Sequence, residues 1–99
     1  MLITSNYKGY HYLLLAYELT RKNHELLNAI TTRLYPEIAK HFNTTTQAVE
    51  RSIRTIITLC QSEGLFMGCK YPPTSAQFIG MLWALGPSRF LLVSDDYAS

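Results

Sequence analysis

Pro36-Glu-Ile-Ala-Lys-His-Phe-Asn-Thr-Thr-Thr-Gln-Ala-Val-Glu-Arg-Ser-Ile-Arg54 divides into a short helix, a turn and the start of a longer helix. Proline suits the first position of a helix, because its missing N–H would have no partner there and its φ is already set. The spacing predicts a helix over Pro36–Phe42, with Ile38, Ala39 and Phe42 on one side. Asn43 tolerates the left-handed conformation that stops a helix. Thr44, Thr45 and Thr46 offer hydroxyls for the next N-cap, Thr45 being favoured. The helix from Thr46 to about Ser62 has a sharp polarity. At ~100° per residue, Val49, Ile53, Ile56, Ile57 and Cys60 fall within an arc of ~100°. Gln47, Glu50, Arg51, Arg54 and Thr58 cluster opposite them.

Upstream, Lys8 to about Lys22 has Tyr10, Leu13, Leu14 and Tyr17 at helical spacing. Asn23 can cap a second helix, His24 to about Arg33, with Leu26, Leu27 and Ile30 inward. Downstream, Gly64 ends the long helix and residues 64–73 read as a loop. Thr74 and Gln77 form a capping box for a last helix to about Leu85, which uses Phe78, Ile79, Leu82 and Trp83 before Gly86-Pro87 stops it. Three readings stay open for Phe90-Leu91-Leu92-Val93 in the tail 88–99: a packed strand-like arm, a short helix or a dimer contact. The expected fold is all-α, a compact bundle of five to six helices containing a helix-turn-helix, with residues 1–99 forming one domain.

Composition removes other classes. A chain of 99 residues leaves little room for a second core, and 47% apolar with 16% charged residues is globular rather than disordered. The net charge of +2 argues against a polybasic binder, but residues 1–54 carry +3 and residues 55–99 carry −1, so an anionic partner should meet the first half. The longest apolar run, Tyr12–Tyr17, is far short of the ~20 residues that span a bilayer, and no signal peptide is legible. Cys60 and Cys69 make no disulfide framework and read as reduced thiols of a cytoplasmic protein. His11, His24 and His41 with these cysteines fit no zinc spacing. No phosphate-cradling glycine loop, catalytic carboxylate pair or Cys–His nucleophile stands out, so no enzyme, cofactor, metal or small-molecule substrate is expected. Tyr7, Tyr10, Tyr12 and Tyr17 suggest base stacking, but Tyr10 and Tyr17 share a helical face with Leu13 and Leu14 and read better as packing.

Ala39, Asn43 four residues on and Val49 six after that follow the spacing of a helix-turn-helix, in which the second helix enters the major groove. Arginine can bridge O6 and N7 of guanine, glutamine suits adenine, and glutamate can accept from N4 of cytosine. Lys40 and the amides at the helix start can hold phosphates. The candidate DNA-contacting residues are therefore Gln47, Glu50, Arg51, Arg54, Lys40, Thr45 and Thr58. An ordinary solvated helix face is the competing reading of the same stripe.

Tyr-Pro-Glu-Ile-Ala-Lys-His-Phe-Asn-Thr-Thr (residues 35–45) followed by Val-Glu-Arg-Ser-Ile-Arg (49–54) closely resembles the C-terminal DNA-binding domain of the sporulation master regulator of endospore-forming bacteria. The resemblance runs from about Lys8 to Leu85 through Lys8-Gly9-Tyr10, Tyr12-Leu13, Glu25-Leu26-Leu27, Pro73-Thr74-Ser75 and Phe78-Ile79. It implies an all-helical effector domain that binds a short box resembling TGTCGAA, often in tandem copies. It also implies that Thr46–Ser62 is the recognition helix, with Glu50, Arg51 and Arg54 touching DNA.

The sequence departs from the family pattern at Ala48, where an arginine is usual, at Thr55, where a histidine is usual, and at the serine-like position taken by Gln47. These changes should weaken a contact or shift the preferred box. The segment before the last helix is also shorter, which alters a region that helps backbone contact and subunit pairing in the family. A chain of this length has no room for the family's phosphorylatable receiver domain, so phosphorelay control is not expected in it. Double-stranded DNA is the expected partner, with homodimer or tandem binding on it and no membrane association. The alternative is a protein-interaction module that pairs with or titrates a full-length regulator without productive DNA binding.

Overall fold

Helix α1 (Lys8–Lys22) turns Tyr10, Tyr12, Leu13, Leu14 and Ala16 inward and exposes its last-turn cations Arg21 and Lys22. In the computed structural model, which describes residues 3–66 and 71–91, three further α-helices follow among the described residues: α2 (Tyr35–His41), α3 (Thr46–Ser62) and α4 (Ser75–Leu85). α3 rests its apolar side on α1, α2 and α4. Val49, Ile53, Ile56, Ile57 and Cys60 are all buried, the same five residues that the periodicity places together.

The caps hold α3 in place. The Thr45 hydroxyl accepts from the Ala48 amide at 3.1 Å. At the preceding corner Asn43 takes φ 54°, and two bonds close the end of α2: Thr44 N–H to the Ala39 carbonyl at 2.9 Å and Asn43 N–H to the Lys40 carbonyl at 3.3 Å. The end of α3 repeats this closure around Gly64, with Leu65 N–H on the Cys60 carbonyl and Gly64 N–H on the Gln61 carbonyl. The capping box at Thr74 and Gln77 forms in full.

Four α-helices replace the expected five or six, because His24–Arg33 is not one α-helix. Asn23 does cap it, accepting from the Glu25 amide at 3.2 Å. The chain then makes a 3-10 turn (His24–Asn28), breaks at Ala29 (φ −144°, ψ 48°) and makes a π-helical turn (Ile30–Leu34) that runs into α2. The cause lies in which residues must be covered: Leu26, Ile30, Leu34, Tyr35, Ile38 and Ala39 are all buried. On one uniform helix these positions would spread over about 220° of its circumference. The 3-10 turn, the break at Ala29 and the π-helical turn replace that uniform helix, and all six residues are covered. Leu27, expected inward, is only half-buried. Helix α2 starts one residue earlier than expected, at Tyr35. Phe42 is not part of its buried side: it is 38% exposed and lies edge-on to Tyr12 at 5.0 Å.

The described part of the tail is packed. After a 3-10 turn (Pro87–Arg89), Phe90 and Leu91 are buried, and the Ile3 amide donates to the Phe90 carbonyl at 3.1 Å in a single parallel bridge. Phe90 meets Phe66 and Phe78 at ring separations of 5.9 and 5.0 Å. Leu92, Val93 and the remainder of the tail, like Cys69, lie outside the described residues. None of the described helices is long and apolar enough to cross a membrane.

Candidate nucleic-acid interface

The side of α3 away from the core carries Gln47, Glu50, Arg51 and Arg54, which together line one shallow open depression. Arg51 is exposed, and its guanidinium has no ion pair or hydrogen bond among the described residues. Arg54 is 72% exposed in its side chain and pairs with Glu50, Nη2 to Oε1 at 2.8 Å. Glutamate four residues before arginine is the favourable order on a helix, and such a pair contributes about 0.3–0.5 kcal/mol at the surface. The two arginines thus differ. Arg51 is free to reach outward, while Arg54 must leave or share its carboxylate to bind anything else.

The other sequence-predicted residues divide by what their polar atoms already do. Gln47 accepts through Oε1 from the Thr46 hydroxyl at 3.3 Å, leaving its amide N–H groups available. The Thr45 hydroxyl caps α3 as acceptor, so its own proton remains free to donate. The Thr58 hydroxyl donates to the Arg54 carbonyl at 3.0 Å and has only lone pairs to offer, a poor match for a phosphate oxygen. From Gln47 to Thr58 is roughly 16 Å along the axis, so Thr58 lies beyond the reading end of the helix. Lys40 stands exposed in the last turn of α2 and does not line the depression on α3. Its place at a helix C-terminus also suits the macrodipole without any ligand.

Behind this face, α1 approaches α3 unusually closely. A Cβ on Gly9 would lie 2.5 Å from the Ser52 carbonyl oxygen and 2.6 Å from Ile56 Cγ1. Tyr35 is 2% exposed, and its hydroxyl is buried without a hydrogen-bond partner of good geometry among the described residues. Burial raises the phenol pKa above its ordinary value. The neighbouring Ser75 hydroxyl lowers it without completing a bond of good geometry, Glu50 raises it and Arg54 lowers it. Periodicity gives no signal for such a hydroxyl. The Glu50–Arg54 pairing, in contrast, has a plain signal in the four-residue spacing.

A short helix, a left-handed corner and a long helix with a two-arginine outer face also lie within a match to a known family. Residues 1–83 match the model described as sporulation initiation factor Spo0A C terminal. The chain belongs to the Spo0A C-terminal family. That family consists of DNA-binding effector domains of sporulation regulation, and the match covers α1 to α3 whole and most of α4. The family resemblance drawn from residues 8–85 is therefore correct. Tyr71, Pro72 and Pro73 are the described end of the segment before α4; residues 67–70 lie outside the description.

Proposed function

We propose that this chain binds duplex DNA sequence-specifically and regulates transcription in the cytoplasm, with α2 and α3 acting as a helix-turn-helix and α3 entering the major groove. The observation that carries the reading is the division of α3 in a member of this family: five buried apolar residues behind, and Gln47, Glu50, Arg51 and Arg54 together in front. Arg51 bridges a guanine, Arg54 a guanine or a phosphate, Glu50 rejects wrong bases, and Gln47 adds a weaker contact. Thr45 and Lys40 hold phosphates at the helix entry.

The dimensions limit what one domain reads. Gln47 to Arg54 spans ~10 Å, or about three base-pair steps of ~3.4 Å. One α3 therefore covers about half of a seven-base box, which favours homodimer or tandem binding. Lys40, Arg51 and Arg54 are the only lysine or arginine side chains of the described α2 and α3. With three phosphates or fewer neutralised, log K should fall against log salt with a slope no steeper than about −2.7.

The test is fluorescence anisotropy of a labelled duplex carrying TGTCGAA beside a scrambled duplex, at two salt concentrations. Wild type should prefer the box, and Arg51→Ala should lose about 1–3 kcal/mol of that preference at one base position. Equal weak binding to both duplexes would redirect the assay to selection from a random library. Binding to neither would leave the protein-interaction module, which co-purification with a full-length regulator then tests.

A further inference from the structure

Where α1 meets the corner between α2 and α3, Lys8, His11, Tyr12, Phe42, Asn43 and Thr44 line a depression of about 350 Å³. Part of its wall is aromatic. The Phe42 ring lies edge-on to Tyr12 at 5.0 Å and to His41 at 4.9 Å, and is still 38% exposed. Lys8 and His11 are exposed, and no carboxylate stands among the described lining residues. Lys8 has no ion pair among the described residues. The His11 ring donates through Nε2 to the Ser5 carbonyl at 2.9 Å, which leaves Nδ1 for another partner. An open phenylalanine beside a lysine suits a segment that carries both an aromatic ring and carboxylates.

One such segment starts nearby. Residues 92–99, Leu-Val-Ser-Asp-Asp-Tyr-Ala-Ser, lie outside the described residues and carry Asp95, Asp96 and Tyr97 without a lysine, arginine or histidine. They account for the negative balance of the second half. Residues 55–91 hold Lys70 and Arg89 against Glu63, or +1, and the two aspartates bring residues 55–99 to −1. Leu91, just before them, is bridged to Ile3 in parallel, so the chain leaves Leu91 in the direction in which it leaves Ile3. From Ile3 that direction leads past Ser5, whose carbonyl His11 holds, to Lys8. Lys8 is five residues beyond Ile3 and Asp96 is five beyond Leu91, a reach of at most ~17 Å in both cases.

We propose that this depression is the docking site of the chain's own acidic segment 92–99, with Asp95 and Asp96 against Lys8 and His11 and with Tyr97 against the open face of Phe42. The site adjoins the entry to the reading helix, since Thr44 lines it and Thr45 caps α3. Two carboxylates there repel a DNA backbone, so the docked segment lowers duplex affinity and its departure restores it. Docking itself does not depend on the DNA-binding reading above; the competition with duplex does.

Carbodiimide activation of the full chain should join Lys8 Nζ to Asp95 or Asp96 by an amide within one molecule, located by peptide mass spectrometry and lost in Lys8→Gln. In the variant Asp95→Asn/Asp96→Asn, the backbone amide resonances of His11, Asn43 and Thr44 should shift while that of the buried Ile56 stays in place. The same variant should bind the box and the scrambled duplex roughly two- to fivefold more tightly, the weight of exposed ion pairs. In a Lys8→Gln background the gain should shrink, because the pairing is already broken. Absence of the Lys8 crosslink, or unmoved amides, overturns the docking. A crosslink between two chains overturns it as well and gives the depression to a second copy. Unmoved amides that shift only when duplex is added would show that the depression receives DNA instead. An equal gain with and without Lys8 would reduce the effect to net charge and overturn the competition. If wild type binds no duplex, the DNA reading has failed, and the crosslink and the resonances still decide the docking.

Discussion

The two sides of α3 obey different rules. The inner side is fixed by packing: Val49, Ile53, Ile56 and Cys60 are fully buried. The outer side is held by almost nothing among the described residues, with one surface ion pair and three hydroxyls, of Thr55, Thr58 and Ser62, bonded back to the helix. Stability should therefore depend on the inner side and recognition on the outer. Ile53→Ala tests that division with the largest effect. It should cost about 2–5 kcal/mol, lowering Tm by roughly 10–30 °C in a thermal melt. The fraction that remains folded should still bind DNA normally.

Gly9→Ala is the change that should break the division. The new Cβ would meet the Ser52 carbonyl at 2.5 Å, and that oxygen belongs to the backbone of α3 and cannot rotate away. Either α1 or α3 must move. Overpacking of this kind costs about 1–3 kcal/mol. The displaced element includes the reading helix, so both Tm and duplex affinity should fall. A loss of stability with unchanged affinity would mean that α1 yields instead.

The same contrast explains what could be read from the residues alone. The inner side of α3, its Thr45 cap, the Asn43 corner and the Thr74–Gln77 box were all legible, because each depends on local spacing and one side chain's chemistry. His24–Leu34 was not. Its Leu26 and Ile30 look helical, and only the need to bury Leu34 and Tyr35 together with Ile38 and Ala39 forces the 3-10 and π turns. That is a tertiary demand with no local mark. Phe42 misleads for the opposite reason. Its spacing is inward, yet it sits after the last turn of α2 and covers Tyr12 from outside. In the candidate site, residue identity was legible, and the four-residue spacing from Glu50 to Arg54 marks the pair that the structure forms. The unsatisfied Tyr35 hydroxyl had no such local mark.

Cys60 probes the inner side by pH. Burial, with Glu63 adding to it, pushes its thiol from 9.0 up to about 11. Below pH 9 the thiol is neutral both folded and unfolded, and its contribution to stability is fully present. Above that the unfolded thiol ionises first, so stability should decline between about pH 9 and 11. The urea midpoint should show this decline in wild type and a flatter course in Cys60→Ala. Duplex binding near neutral pH should be unaffected in that variant.

Glu50→Gln has the smallest effect on the fold and sharpens the comparison most. It removes the carboxylate that holds Arg54 at 2.8 Å. The stability lost should be only about 0.3–0.5 kcal/mol, the usual worth of such a pair. Recognition should change more, and in two directions. Freed from its partner, Arg54 gains access to any phosphate, and the outer face loses a negative charge, so affinity for the scrambled duplex should rise and the salt slope should steepen by up to ~0.9. Affinity for the box should rise less, because the carboxylate that repels wrong bases is gone, and the ratio of box to scrambled binding should narrow. If that ratio stays constant while both affinities rise, Glu50 acts only by restraining Arg54, and base discrimination on this face belongs to Arg51 and Gln47.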